Sequence, residues 1–241
     1  MSEPIQKLFP TRAEQYPEPT AADVVQGTTR AALAAIPFVG GSITEVLSLV
    51  LAPAVARRRD TWLKELADGL EDAERKIDGF TIESITQDEA FVSAVIEATR
   101  SAISTHKDEK RDALRNRLLN IALHRSTDED QQQIFLRYID ELTVWHLRIL
   151  QLFQNPPLHL ASKGIKTAYY MGGSSQVLED VYPELQGKRE FYDQVVADLN
   201  SRGLFNSPSF LHAMMSAQGM VEKRTTPLAD AFLAFIADPL A

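Results

Sequence analysis

The chain reads as mostly α, an N-terminal multi-helix bundle followed by a small winged-helix-like C-terminal module. Three observations predict this. Capping boxes recur along the first half, at Thr20-Ala-Ala-Asp23, Ser42-Ile-Thr-Glu45, Thr86-Gln-Asp-Glu89 and Ser126-Thr-Asp-Glu129. In each, the hydroxyl accepts from a free amide and the acid faces the positive end of the helix. Apolar residues then follow three and four apart, the period of one helix face. The last third abandons that long-range period for short apolar clusters separated by glycine and proline.

The elements are expected in the following order. Residues 1–20, with Pro4, Pro10, Pro17 and Pro19, form an arm without the unbroken apolar stretch of an export signal, so the cytoplasm is the expected location. The bundle spans 21–155. A first helix runs to about Ala35, and Pro37 with Gly40-Gly41 interrupts it. A second opens at Ser42, and Pro53 should kink or break it near Leu51. From Val55 the stripe Leu63, Leu66, Leu70, Ala73 and Ile77 predicts a long helix ended by Gly79, with Trp62 beside the stripe. Phe91, Val92, Val95, Ile96 and Ile103 mark the next. Leu114, Leu118 and Ile121 mark another, over 108–123. Ile134, Tyr138, Leu142, Trp145 and Ile149 read as one helix that Asn155-Pro156-Pro157 stops.

Residues 156–173 read as an irregular connector, and 174–241 as the winged-helix-like module. Its helices carry Val177, Leu178 and Val181, then Phe191, Val195, Val196 and Leu199. A third helix is expected from Ser207-Pro208 to Gln218, a strand over 220–224, and a last helix from Thr226-Pro227 with Phe232, Phe235 and Ile236.

Composition narrows the function classes. Hydrophobic residues make up 44% and charged residues 24%, which excludes a disordered chain and a polytopic membrane protein. No cysteine is present, so disulfides, thiolate nucleophiles and iron–sulfur clusters are excluded with it. His106, His124, His146, His159 and His212 never stand three to five residues apart, so no metal-ligand spacing exists. Gly172-Gly173-Ser174-Ser175 lacks the lysine of a phosphate loop and the second glycine of a nucleophile elbow, and reads as a turn before a helix. Gly40-Gly41-Ser42 reads as a plain helix cap rather than an anion site. His146 reads as a core or boundary histidine. The expectation is a protein without enzymatic activity, catalytic residues, cofactor or metal; the rival is a hydrolase assembled from scattered histidines and carboxylates.

Nucleic acid is not the expected partner. Residues 208–218, the place of a recognition helix, hold no Lys or Arg, and 188–241 carry five basic against six acidic residues. Backbone affinity for DNA comes from cationic side chains releasing counterions. A protein partner or self-association fits better, with a DNA-binding regulator as the rival. Lys107, Lys110, Arg111, Arg115 and Arg117 share a helix with Asp108, Glu109 and Asp112, and read as a solvated, salt-bridged face.

The stretch 31–56 stands apart. It holds one charge, Glu45, and runs into Arg57-Arg58-Arg59. Pro37, Gly40, Gly41 and Pro53 divide it into pieces too short for a single span. Two readings stay open: a helix buried in the bundle, or a segment that enters lipid when released. On the second, Ile36, Phe38, Val39, Leu47 and Leu51 would contact the membrane with Arg57, Arg58 and Arg59 at the headgroups. On either, Leu47, Leu49, Val50 and Leu51 should face other helices in the resting fold.

Three strings carry a family resemblance: KRDALRNRLLN over 110–120, ELTVWHLRILQLF over 141–153 and TTPLADAFLAFI over 225–236. Across about 21–236 the chain resembles the bacterial abortive-infection alpha-type proteins. The resemblance implies an apolar N-terminal helix pair, a helical middle, a wing-like end and a role in phage defence. It transfers no catalytic residue. The combined expectation is a phage-defence effector that engages membranes when triggered; the alternative is a soluble interaction or DNA-binding module.

Overall fold

The computed structural model describes residues 41–124, 129–166, 168–207 and 209–240. The chain divides into two units, Met1–Arg58 and Arg59–Ala241, each taken by itself below. The expected arm, the first helix with its Pro37–Gly40 interruption, and the Ser126 box lie outside the described residues.

In the first unit the described part is the start of α1, Gly41–Lys76. The expected break at Leu51 does not occur: Pro53 sits inside a continuous helix. Proline deletes one backbone donor and strands the carbonyl four residues earlier, here that of Leu49. Both residues are exposed, so water can satisfy what the helix loses. The burial expected of Leu47, Leu49 and Val50 fails with the break. They are 48%, 76% and 63% exposed, and Leu51 is half-buried. A helix that ended at Leu51 and turned back would have laid these residues on the next one, whereas one continuous helix cannot bury its own side chains.

In the second unit, the rest of α1 buries Trp62, Leu66 and Ala73, with Leu70 and Ile77 packed against the core. Leu63 is 42% exposed, not buried as its place in the stripe predicts. The buried stripe is phased on Trp62, running 62, 66, 70, 73 and 77, because the indole is the largest apolar group on the helix. Its Nε1 donates to Thr99 Oγ1 at 3.0 Å. Two helices follow the φ +81° turn at Gly79: the single-turn α2, Ile82–Ile85, and the longer α3, Glu89–Ser104. Thr86 closes α2, and Asp88 caps α3 by accepting from Ala90 N and Phe91 N, so the expected Thr86 box starts two residues late. Carboxylate caps are as favourable as hydroxyls.

The central helix is α4, Asp108–Ala122, buried continuously from Asn116 to Ala122. It lies between α3 and the last helix, α11, Pro227–Ile236. Two buried asparagines tie it to that helix's C-terminus. Asn116 Nδ2 donates to Ile236 O at 3.1 Å, and Asn120 Nδ2 to Phe235 O and Ala237 O at 3.0 Å. Carbonyls at a helix end have no intrahelical donor, so these amides satisfy what the core would otherwise strand.

The single helix expected up to Asn155 is two, α5, Glu129–Glu141, and α6, Val144–Gln154. Asn155-Pro156-Pro157 stops α6 as expected and also starts another. Asn155 accepts from Leu158 N, and the prolines occupy the first turn of α7, Pro156–Ser162, inside the expected connector. Then come β1, Met171–Gly172, α8, Ser175–Val181, and a 3-10 turn, Pro183–Leu185. They are followed by α9, Arg189–Ser201, β2, Met215–Ser216, and α10, Ala217–Met220. Strands β1 and β2 pair antiparallel, Met171 with Ser216 and Gly172 with Met215.

The helix expected over 208–218 is absent: residues 209–213 turn and 215–216 are strand. Phe210 and Leu211 are buried, and Phe210 packs on Phe153 with ring centroids 4.7 Å apart. Ser175 N donates to Leu211 O at 3.0 Å, taking the carbonyl that a helix would pair with the amide of Met215, and Met215 instead lies in a strand. The strand expected over 220–224 is likewise replaced by the end of α10 and a turn, leaving a single bridge between Phe205 and Thr225. The last helix is as expected, with Thr226 capping and Phe232, Phe235 and Ile236 buried. One continuous core joins Trp62 to Ile236, centred on Phe135, Tyr138, Phe232 and Phe235.

Candidate functional site

Of the residues expected to meet a membrane, Ile36, Phe38 and Val39 lie outside the described residues. Leu47, Leu51, Arg57, Arg58 and Arg59 all stand on α1. Helical spacing sets Leu47, Val50, Leu51 and Ala54 on one face with Arg58 at its end. Arg57 and Arg58 are exposed, and Arg59 pairs with Asp60 at 3.1 Å. Among the described residues, no helix is long and apolar enough to cross a membrane.

Sequence reading placed Arg117 on a solvated face, and the structure corrects this. Arg117 is buried, 3% exposed, while Arg111 pairs with Asp108 at 3.0 Å and Arg115 with Asp112 at 3.6 Å. A signal was present: Arg117 stands three after Leu114 and four before Ile121, in phase with the apolar stripe. Its guanidinium lies 3.6 Å from Glu97 Oε2 and 5.9 Å from the centre of the Phe235 ring. Nε and Nη1 have no hydrogen-bond partner. Burial pushes its pKa down and Glu97 opposes that; a guanidinium stays charged either way.

Above Arg117 opens a cleft of about 500 Å³. Glu89, Ser93 and Glu97 form one wall, four residues apart on a single face of α3. Arg117 and His124, from α4 and the turn after it, form the floor, and Gln132 and Gln133 of α5 close the far side. His124 adopts φ +51°, a left-handed conformation uncommon for a residue with a Cβ.

A second, shallower cavity of about 760 Å³ is largely apolar, with Pro157, Leu160 and Ala161 of α7, Ile165, and Val221 after α10. Near it in the chain, Leu158, Tyr170, Met171 and Met214 are 61%, 86%, 56% and 72% exposed.

Several other titratable groups are paired structurally. His146 accepts from Thr143 N at 3.1 Å through Nδ1, and Nε2 lies 3.5 Å from Asp198. Burial holds its pKa below the usual histidine value against the pull of Asp198. Tyr192 donates to Glu179 at 3.0 Å; burial, then that bond, pushes its phenol up to about 12. His212 meets Asp193 at 2.6 Å. Burial acts to raise the pKa of Asp230, but bonds from Lys223, Thr225 and Gln154 together hold it below the usual carboxylate value. Among the described residues no group of His, Asp and Glu could hold a metal ion.

No family model, no curated protein and no solved structure matches this chain.

Proposed function

We propose that the chain is a non-enzymatic helical effector that engages a membrane surface through the first half of α1. The observation that carries this is the exposure of Leu47 and Val50 on one face of α1, with Arg57-Arg58-Arg59 farther along the same helix. Apolar groups clustered in the open mark an interaction surface more often than isolated ones do. Lying in the interface suits the segment better than spanning, because the apolar stretch is short and ends in arginines. Each arginine near anionic headgroups contributes about 1 kcal/mol. Contact needs no unfolding of α1, since these side chains are already exposed. The whole-chain charge of −8 works against approach to an anionic surface, so binding rests on the local pull of Arg57-Arg58-Arg59 on anionic headgroups, which salt weakens. The cytoplasm is the proposed resting location, and phage defence the setting that the resemblance implies.

The test is binding to vesicles of anionic and of zwitterionic lipid, for the native chain and for Arg57→Gln/Arg58→Gln/Arg59→Gln. The expected result is binding to anionic vesicles only, weakened about tenfold or more in the triple variant. Equal binding of both proteins, or none, sinks the proposal.

A second reading is favoured by the apolar cavity at α7 and α10: a soluble module whose exposed Leu158, Tyr170 and Met214 meet a protein partner or a second copy. A winged-helix-like form of 174–241 belongs with this reading. The Phe205–Thr225 bridge between α9 and α11 supports it; the turn at 209–213 speaks against it, and against reading DNA.

A further inference from the structure

We propose that the cleft over Arg117 binds a small zwitterion of the α-amino acid class, its carboxylate on the Arg117 guanidinium and its ammonium toward Glu89 and Glu97. A guanidinium offers five N–H groups in a planar fork, and Arg117, almost wholly buried, has Nε and Nη1 unpartnered. Leaving charged donors dry and unpaired is costly. Its carboxylate neighbour Glu97 stands at 3.6 Å, too far for a good hydrogen bond, and its side chain is 45% exposed. Glu97 therefore holds the place weakly, and rotating it into solvent opens the guanidinium to a carboxylate that can take the fork with both oxygens.

The surrounding charge selects against a simple anion. Among the described residues that line the cleft, Asp88, Glu89 and Glu97 stand against Arg117 as the one Lys or Arg. A bare carboxylate or phosphate meets net negative walls, whereas a ligand that also carries an ammonium satisfies both ends. Glu97, once displaced, and Glu89 one side of the cleft away are the groups that receive it. The volume of about 500 Å³ lies within the range of small-molecule sites. Gln132 and Gln133 add amides at the far side, suited to a polar side chain.

The test uses the full chain and titrates each common L-amino acid by calorimetry and by amide chemical shift, with the N-acetylated form of any that binds. Binding of at least one is expected, with the N-acetyl form, which lacks the ammonium, about tenfold weaker. Glu89→Gln should weaken the free amino acid about threefold and should not weaken the N-acetyl form, which loses a like-charged neighbour and no partner. Glu97→Gln should strengthen the N-acetyl form about fivefold, since the competing carboxylate is gone. Arg117→Gln should abolish binding of both; because that variant can fail to fold, the two glutamate variants, outside the core, decide the matter. Failure of every amino acid to bind the native chain and Glu97→Gln at about 10 mM, well above ordinary ligand affinities, overturns the proposal. So does an N-acetyl form that binds as tightly as the free one, or binding that neither glutamate variant alters.

Discussion

Gly173 is held where no other residue fits. A Cβ there would sit 2.2 Å from the Leu211 carbonyl oxygen, and the next residue, Ser174, is fully buried with its hydroxyl donating to Met220 O at 2.9 Å. Gly173→Ala is expected to cost about 2–4 kcal/mol, read as a fall in the urea midpoint. An unchanged midpoint would mean that the 209–213 turn does not press on Gly173. A Gly-Gly-Ser-Ser string announces a turn, but the backbone that makes the glycine obligatory comes from far along the chain. Leu63 teaches the same lesson in reverse. Local spacing admits two phases for the α1 stripe, and only the fold's use of Trp62 as its anchor chooses between them. Leu66→Ala should therefore lower stability by about 2–5 kcal/mol, while Leu63→Ala stays within about 0.5 kcal/mol. Equal losses in thermal melts would contradict the Trp62 phase. Arg117 was legible as an arginine in phase with leucines; its burial was not, since it depends on α11 laying Phe235 across it.

At the scale of the element, the Thr226-Pro227 start was read in place, the Thr86 box began two residues late, and breaks that depend on side chains outside the usual cap set were the least legible. The α5–α6 break hides in Thr143-Val-Trp-His146, where histidine does the work normally given to glutamate or glutamine. Neutral Nδ1 accepts the Thr143 amide, and protonation would replace that acceptor with a donor. Because the folded chain holds the His146 pKa below its ordinary value, the unfolded chain takes up the proton first as pH falls. Stability from this cap is thus complete above about pH 6.5, the ordinary histidine value, and declines as pH drops through the lower folded-state value. His146→Gln supplies a standard capping-box acceptor that does not titrate. Urea midpoints at about pH 7.5 and pH 5 should differ less in this variant than in the native chain. An equal difference in both would remove His146 from the pH response. The Asn155-Pro156-Pro157 string was read as a stop and is equally a start, because proline suits the first turn of a helix for the same reason that it ends the one before.

At the scale of the whole molecule, the helical class was written in the periodicity, and the final helix was found with its cap and its buried face. The structure of the C-terminal third was not. Its Phe210 and Leu211 are recruited into the core by Phe153 and Ser175, partners that no local window contains. The altered state of α1 bears most on function. Had Leu47 and Val50 been buried, changing them would have damaged fold and membrane contact together. Exposed as they are, they separate the two. The most direct measurement is flotation with anionic vesicles in a density gradient, comparing the native chain with Leu47→Asp/Val50→Asp, each accompanied by its thermal melt. The account predicts that the native chain floats, that the variant stays with the aqueous fraction, and that both melt within about 2 °C of each other, as surface substitutions do. A native chain that does not float, or a variant that floats equally well, would contradict it.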